Sequence, residues 1–161
     1  MEMKKQKNYL FRIIVTILII LFMIVSFYTF NVHIPYVNHQ KDLIRVRDKI
    51  IRDNQLNYDG YFNAYDREKT IYIIKVKENN ASVYQAYDYN YKILKSYQGT
   101  SASKNFIKSQ IKKKYKVDVS NINIGYENDK FLYYGSYQTD NHLYYYYYSF
   151  EDGTFIKEYI L

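Results

Sequence analysis

The side chains that could carry chemistry in this chain are few and scattered. His33, His39 and His142 are spread along the sequence. Imidazole is a common metal ligand, but the ligands of one ion must converge, and two of these three stand just past a long apolar run. Asp59, Asp66 and Glu68 fall near one another, and paired carboxylates can run acid–base chemistry. Acids at strand ends are usually solvated, however. Ser101 stands three residues before Lys104, the S-x-x-K spacing of penicillin-binding enzymes, and Ser103 is adjacent to Lys104. The companion S-D-N and K-T-G motifs are absent, and helix capping accounts for both serines. Asn80-Ala81-Ser82 is a formal glycosylation acceptor that a chain of this composition produces by chance. There is no cysteine, which excludes thiol catalysis, thiolate metal sites, disulfides and cysteine-linked lipid. No glycine-rich phosphate loop occurs. The sequence therefore points away from an enzyme, and it assigns no catalytic, metal or cofactor-binding residue.

The clearest element is Ile13–Val32, IIVTILIILFMIVSFYTFNV, with no charge. Twenty residues at about 1.5 Å per residue match a bilayer's hydrocarbon core of roughly 30 Å. Lys4, Lys5, Lys7 and Arg12 precede it, and the positive-inside rule places that tail in the cytoplasm. A cleaved signal peptide would call for a small-residue site after the apolar run, yet Ser26 is followed by Phe27 and Tyr28. The expectation is an uncleaved single-pass anchor in the cell membrane, with the C-terminal part on the outer face. Against Glu2, the four basic residues give residues 1–31 a charge of +3 out of a net +7, leaving +4 for the rest. That mild excess suits a neighbouring anionic lipid surface or wall polymer. It is no nucleic-acid signature, even with KSQIKKKYK at Lys108–Lys116.

The rest must position whatever function there is. IPYVNHQ (Ile34–Gln40) holds the only proline and reads as a connector. Lys41–Leu56 reads as an amphipathic helix on Leu43, Ile50 and Leu56, with Ile44, Val46 and Ile51 widening the stripe. Strands follow at Tyr58–Asp66, Lys69–Lys77, Ser82–Tyr89 and Tyr91–Gln98, with turns at Asn79-Asn80 and Asn90. Gly99 breaks the pattern. Thr100–Val117 reads as a second helix, capped by Ser101 or Ser103, with Phe106, Ile107, Ile111 and Tyr115 apolar and its lysines toward the C-terminus. Strands at Asp118–Glu127, Lys130–Thr139, Leu143–Phe150 and Thr154–Leu161 complete the chain, with turns at Asn128-Asp129, Asp140-Asn141 and Glu151–Gly153. The class is α+β. A cytoplasmic tail (1–12) and transmembrane helix (13–32) precede two small domains, 36–99 and 100–161. Each is expected to be a helix on a three- to four-stranded antiparallel sheet.

HLYYYYYSFEDG, residues 142–153, places five tyrosines in a row. On a strand, alternate residues share a face, so Tyr144, Tyr146, Tyr148 and Phe150 form one row, and Leu143, Tyr145, Tyr147 and Ser149 the other. One row can pack under the helix. The other faces solvent or a neighbouring domain, and tyrosine suits either because its ring packs while its hydroxyl stays wet. Tyr134, Tyr145 and Tyr147 are the candidate partner-binding face.

An N-terminal anchor, a helix–sheet unit, then SKNFIKSQIKKKY, YENDKFLYYGSY and YYYYYSFEDGTFIKEYI resemble the small Gram-positive proteins with a TseB-like domain, the cell wall elongation regulators. The resemblance covers nearly the whole chain and is most specific over Ser103–Leu161. Phe150, Asp152, Gly153, Phe155 and Ile156 carry the pattern of the last hairpin, with the glycine directly after the acid, where the family has a longer turn. The resemblance implies two modules similar to cystatin and PepSY folds. It also implies a non-catalytic role as partner of a membrane-anchored penicillin-binding transpeptidase in wall synthesis. The alternative it leaves is a PepSY-like module that inhibits a peptidase or binds a wall polymer.

Overall fold

The computed structural model describes the backbone of residues 2–161 and the side chains from Phe11 onward. The chain divides into two units, one ending at Val46 and one spanning Arg47–Leu161.

The first unit is helical. Helix α1 (Glu2–Tyr28) is followed by a π-helical turn (Thr29–His33) and by helix α2 (Ile34–Asp53), which runs on into the second unit. The expected connector at Ile34–Gln40 is therefore helix. Proline lacks an N–H, and its ring crowds the carbonyl four residues back, so it normally kinks a helix interior. Here the turn before it is wide, with Ile34 N–H bonded to the Thr29 carbonyl, and Pro35 falls in the first turn of α2, where it is tolerated. Thr29 Oγ1 donates to the Val25 carbonyl at 2.8 Å and Asn31 Nδ2 to that of Phe27 at 3.0 Å. Among the described residues, Phe11–Asp53 is the one helix long and apolar enough to cross a membrane, and its best window has a mean hydropathy of 2.8. It is consistent with a single-pass anchor or a signal sequence.

The second unit holds two four-stranded antiparallel meanders, ordered β1-β2-β3-β4 and β5-β6-β7-β8. The strands are β1 (Tyr58–Asp66), β2 (Thr70–Glu78), β3 (Ala81–Tyr87), β4 (Ile93–Tyr97), β5 (Ile122–Glu127), β6 (Lys130–Gln138), β7 (Leu143–Ser149) and β8 (Phe155–Ile160). Asn79-Asn80 and Asn128-Asp129 both adopt positive φ, as a two-residue hairpin turn matching strand twist requires. One short helix, α3 (Lys104–Tyr115), lies between the sheets in sequence. This corrects the expected pair of helix-plus-sheet units. The segment expected as a separate helix at 41–56 is the end of the long N-terminal helix, so α3 alone follows it. The amphipathic stripe there was a sound helix signal; it carried no information that the helix began further upstream.

The first sheet is covered on both faces. Ile73 and Ile74, neighbours on β2 that point opposite ways, are both fully buried. Ile73, Ala86, Tyr65 and Ile71 join a cluster shared with the second sheet. Ile74, Val76, Val83 and Tyr87 on the opposite face are buried too, as is Ile50 near the end of α2. Beside it, Arg47 and Lys49 lie 5.4 and 5.5 Å from the ring centres of Tyr58 and Tyr91.

In the second sheet both tyrosine rows of β7 pack. Ile107 and Ile111 of α3 are buried, and the Tyr115 ring sits 4.4 Å from that of Tyr146. Ser103 caps α3 by accepting from Phe106 N–H, and Lys116 closes it in the left-handed conformation. Gly153 also has positive φ, and a Cβ there would come within 2.7 Å of the Phe106 ring. Only glycine lets the β7–β8 turn approach α3 this closely. Phe150 is the hub between sheets: fully buried, its ring lies 4.9 Å from Tyr84, 5.3 Å from Tyr97 and 4.9 Å from Tyr133.

Candidate functional site: a tyrosine-lined cleft between the sheets

The cleft begins where β1 of the first sheet meets β5, an edge strand of the second. In an antiparallel ladder, alternate residues of an edge strand aim their N–H and C=O away from the sheet. At Ile124 both groups find partners on β1. The Ile124 N–H donates to Tyr61 Oη at 2.8 Å, and Asn63 Nδ2 donates to the Ile124 carbonyl at 3.0 Å. Asn63 Nδ2 also donates to Tyr134 Oη at 3.1 Å. Alternation along β1 sends Tyr65, two residues on, to the same side. Its hydroxyl donates to Glu127, the last residue of β5.

Beyond this joint the surface opens into two adjoining recesses. The larger, about 800 Å³, is lined by Arg67, Lys69, Tyr126, Glu127 and Lys157 among others. The smaller, about 350 Å³, is lined by Tyr134, Tyr145, Tyr147 and Leu161 among others. Tyr65, Arg67 and Tyr159 line both. The structure thus brings Tyr134, Tyr145 and Tyr147, the three residues singled out from sequence, into one recess. Tyr147 is only 2% exposed, so its ring is packing and only its rim meets the recess. Tyr134 and Tyr145 are half-buried.

The polar groups form one network. The Arg67 guanidinium lies 5.1 Å from the Tyr147 ring centre and 4.9 Å from that of Tyr159. Lys157 Nζ lies 5.0 and 5.1 Å from the same rings. Each cation gains from a ring's negative face. Glu127 sits between them, bonded to Lys157 and 3.6 Å from Arg67 Nε. Arg67 also donates to the Tyr147 hydroxyl.

These contacts hold each group in the charge state it already has near neutrality. Burial pushes the Tyr65 hydroxyl well above its ordinary value, and its bond to Glu127 adds to this. Burial likewise raises Tyr147, against a lowering by Arg67. Burial alone would raise Glu127, but its bonds to Lys157 and Tyr65 outweigh it and hold the carboxylate below its ordinary range. Lys157 is held up by Glu127 against its own burial. Proton transfer near pH 7 needs a group poised near that pH, and this arrangement moves its members the other way.

No family model, curated protein or solved structure matches this chain.

Of the other residues considered from sequence, Glu68 lines the larger recess and Asp66 the smaller, and the rest lie elsewhere. Asp59 bonds to Lys75 at 2.8 Å and accepts from Ser82, and the Lys75 bond lowers its pKa. Asp66 accepts from Thr70, so Asp59 and Asp66 serve separate contacts. Lys104 lies 4.6 Å from the Tyr61 ring centre; burial lowers its pKa, with Lys108 contributing. His142 belongs to the β6–β7 turn, where its backbone bonds to Thr139. Among the described residues no three His, Cys, Asp or Glu side chains gather as metal ligands would.

Arg67, Glu127, Lys157 and Tyr159 escaped the sequence reading. Arg67 lies in a turn, Glu127 before the Asn128-Asp129 turn, and Lys157 in an exposed-looking strand, so each resembled ordinary surface. The available signal was alternation: Lys157 and Tyr159 share the face of Tyr145 and Tyr147.

Proposed function

We propose that this chain is a non-catalytic, membrane-anchored recognition module. Its uncleaved N-terminal helix spans the cell membrane with the N-terminus in the cytoplasm, and the unit Arg47–Leu161 works on the outer face. The partner is a membrane-anchored penicillin-binding transpeptidase of wall elongation, and the contact surface is the cleft around Tyr134, Tyr145, Arg67 and Tyr159. The observation that carries the recognition role is the network at Glu127. Phenols, a carboxylate and two cations converge in an open recess, each stabilised in its resting charge state. Such a surface suits binding, where aromatic and arginine side chains dominate contact energy, better than proton transfer. The partner class rests on the resemblance of Ser103–Leu161 to the TseB-like domain, and the apolar helix fits confinement beside membrane enzymes.

The test is in vivo crosslinking of full-length protein, tagged at its C-terminus, followed by purification from membranes. Enrichment of a penicillin-binding transpeptidase over other single-pass proteins supports the reading. Recovery of a secreted peptidase, or of wall polymer alone, replaces it with the inhibitor or polymer-binding role.

A further inference from the structure

We infer that helix α3 is a second binding surface, and that its row of lysines takes a linear phosphodiester polymer of the cell wall. The helix lies on the Tyr146 face of the second sheet, opposite the face of Tyr145 and Tyr147 that borders the cleft. Charge in the outer part of the chain is concentrated there. Lys104–Lys116 holds six lysines and no acid, while the rest of residues 32–161 holds 13 basic against 15 acidic side chains. The segment therefore carries +6 and the remainder −2.

A solvated helix usually balances its charge, and α2 does so: Arg45 pairs with Asp42, Arg47 with Asp48 and Lys49 with Asp53. Of the six lysines, Lys112 alone reaches a carboxylate among the described residues, that of Asp118 beyond the helix, at 2.9 Å. Lys104, Lys108, Lys112 and Lys116 recur every four residues, and like charges at that spacing repel. The helix dipole favours cations in the last turn and opposes them in the first. It accounts for Lys112, Lys113 and Lys114, but it disfavours Lys104, and no acid stands in the first turn to offset it. Burial, and then the charge of Lys108, lower the Lys104 pKa. The row is held against its own repulsion, which a polyanion laid along it would relieve.

The geometry favours a chain of phosphates over other anions. Four residues advance about 6 Å along the axis, less than the Debye length of about 8 Å at physiological salt. The lysines therefore act as one line of charge, about 18 Å long from Lys104 to Lys116. Lysine binds phosphate as a point charge and is depleted from protein–protein interfaces. A helix that lies in a bilayer inserts its apolar face, but α3 buries Ile107 and Ile111 and exposes Phe106 as its one large apolar side chain. The wall as source of the polymer rests on the reading that this unit works on the outer face of a walled cell.

The test uses full-length protein in phosphatidylcholine nanodiscs, with fluorescent poly(glycerol phosphate) as the probe. Lys112, Lys113 and Lys116 are exposed, so changing all three to glutamine should leave the circular dichroism unchanged. That variant should bind the polymer at least tenfold more weakly at low salt. Changing Lys92, Lys95 and Lys130 to glutamine removes the same charge from other exposed positions and should weaken binding less than threefold. Monomeric glycerol phosphate should compete at least tenfold less well per phosphate. Absence of binding by the wild type, equal loss in the two triple variants, equal competition by the monomer, or capture of phosphatidylglycerol vesicles in place of the polymer overturns the proposal. Protease added to cells stripped of their wall separates the two readings. A C-terminal tag it cannot reach overturns the outer-face reading and the wall as source, whereas absent binding with the tag accessible overturns the α3 site alone.

Discussion

Strands β5 and β8 are the two edges of one sheet, and they are finished in different ways. At β5 the outward backbone groups of Ile124 are taken up by Tyr61 and Asn63 of the neighbouring sheet. A side-chain hydroxyl and an amide replace the strand that would otherwise pair there. At β8 the outward groups of Glu158 and Ile160 meet no such partner among the described residues, and Glu158, Ile160 and Leu161 are exposed. The contrast separates an edge capped within the molecule from an edge that stays open. It also explains the location of the cleft, which lies on the face joining the two, with Glu127 at the end of β5 bonded across to Lys157 of β8.

The largest effect in breaking this contrast is expected at Gly125 on β5. A Cβ there would stand 2.8 Å from Leu132 Cδ1 and from the Tyr65 ring. Gly125→Val should cost about 2–3 kcal/mol through overpacking, measured as a fall in the urea midpoint with unchanged slope. Next is the hydrogen-bonded cap. Asn63→Ala leaves the Ile124 carbonyl without its partner and should cost about 1–2 kcal/mol. Tyr61→Phe should cost a similar amount at the Ile124 N–H.

Acid should act on the joint between the edges. Glu127 has a folded pKa below its unfolded value, so its contribution is present above the unfolded value, about 4.3. It is lost as pH falls from there through the folded value. Glu127→Gln should flatten that acid limb of the stability curve and lower stability at pH 7 by about 1–2 kcal/mol. At the other extreme the buried tyrosines act together. Tyr87 and Tyr126 are each pushed up by burial to about 12. Their neutral forms favour the fold below the ordinary tyrosine value of about 10, and the benefit is lost as pH rises from there toward about 12. The smallest effect is expected at the open edge. Ile160→Pro should change the stability of the folded unit by no more than about 1 kcal/mol, because it removes no ladder hydrogen bond and only the half of Ile160 that is covered beside Tyr144.

Much of the local structure was legible in the sequence, since alternation and turn chemistry are local. Tyr58–Asp66 matches β1 end to end, and the asparagine and aspartate pairs mark hairpin turns correctly. Ser103 caps α3, as a serine before an apolar-periodic run should. The two rows of tyrosines on β7 separated as strand geometry requires, and the second row meets a partner 80 residues earlier in the chain, with Tyr147 packed against Arg67. Pro35 misled because a wide turn upstream, held by Thr29 and Asn31, relieves the clash that makes proline a breaker. The cleft was half legible. Tyr134, Tyr145 and Tyr147 could be placed on one face by register, but Arg67 and Glu127 reach them only through the meeting of two sheets, and no local pattern records that meeting.

The most direct measurement of the recognition role uses a photo-crosslinking amino acid placed in full-length protein in living cells, at Tyr145 in the cleft and at Lys95 on β4. Capture of a penicillin-binding transpeptidase from position 145, and little from position 95, is the expected result. Equal capture from both, or capture from position 95 alone, would contradict the cleft as the binding surface.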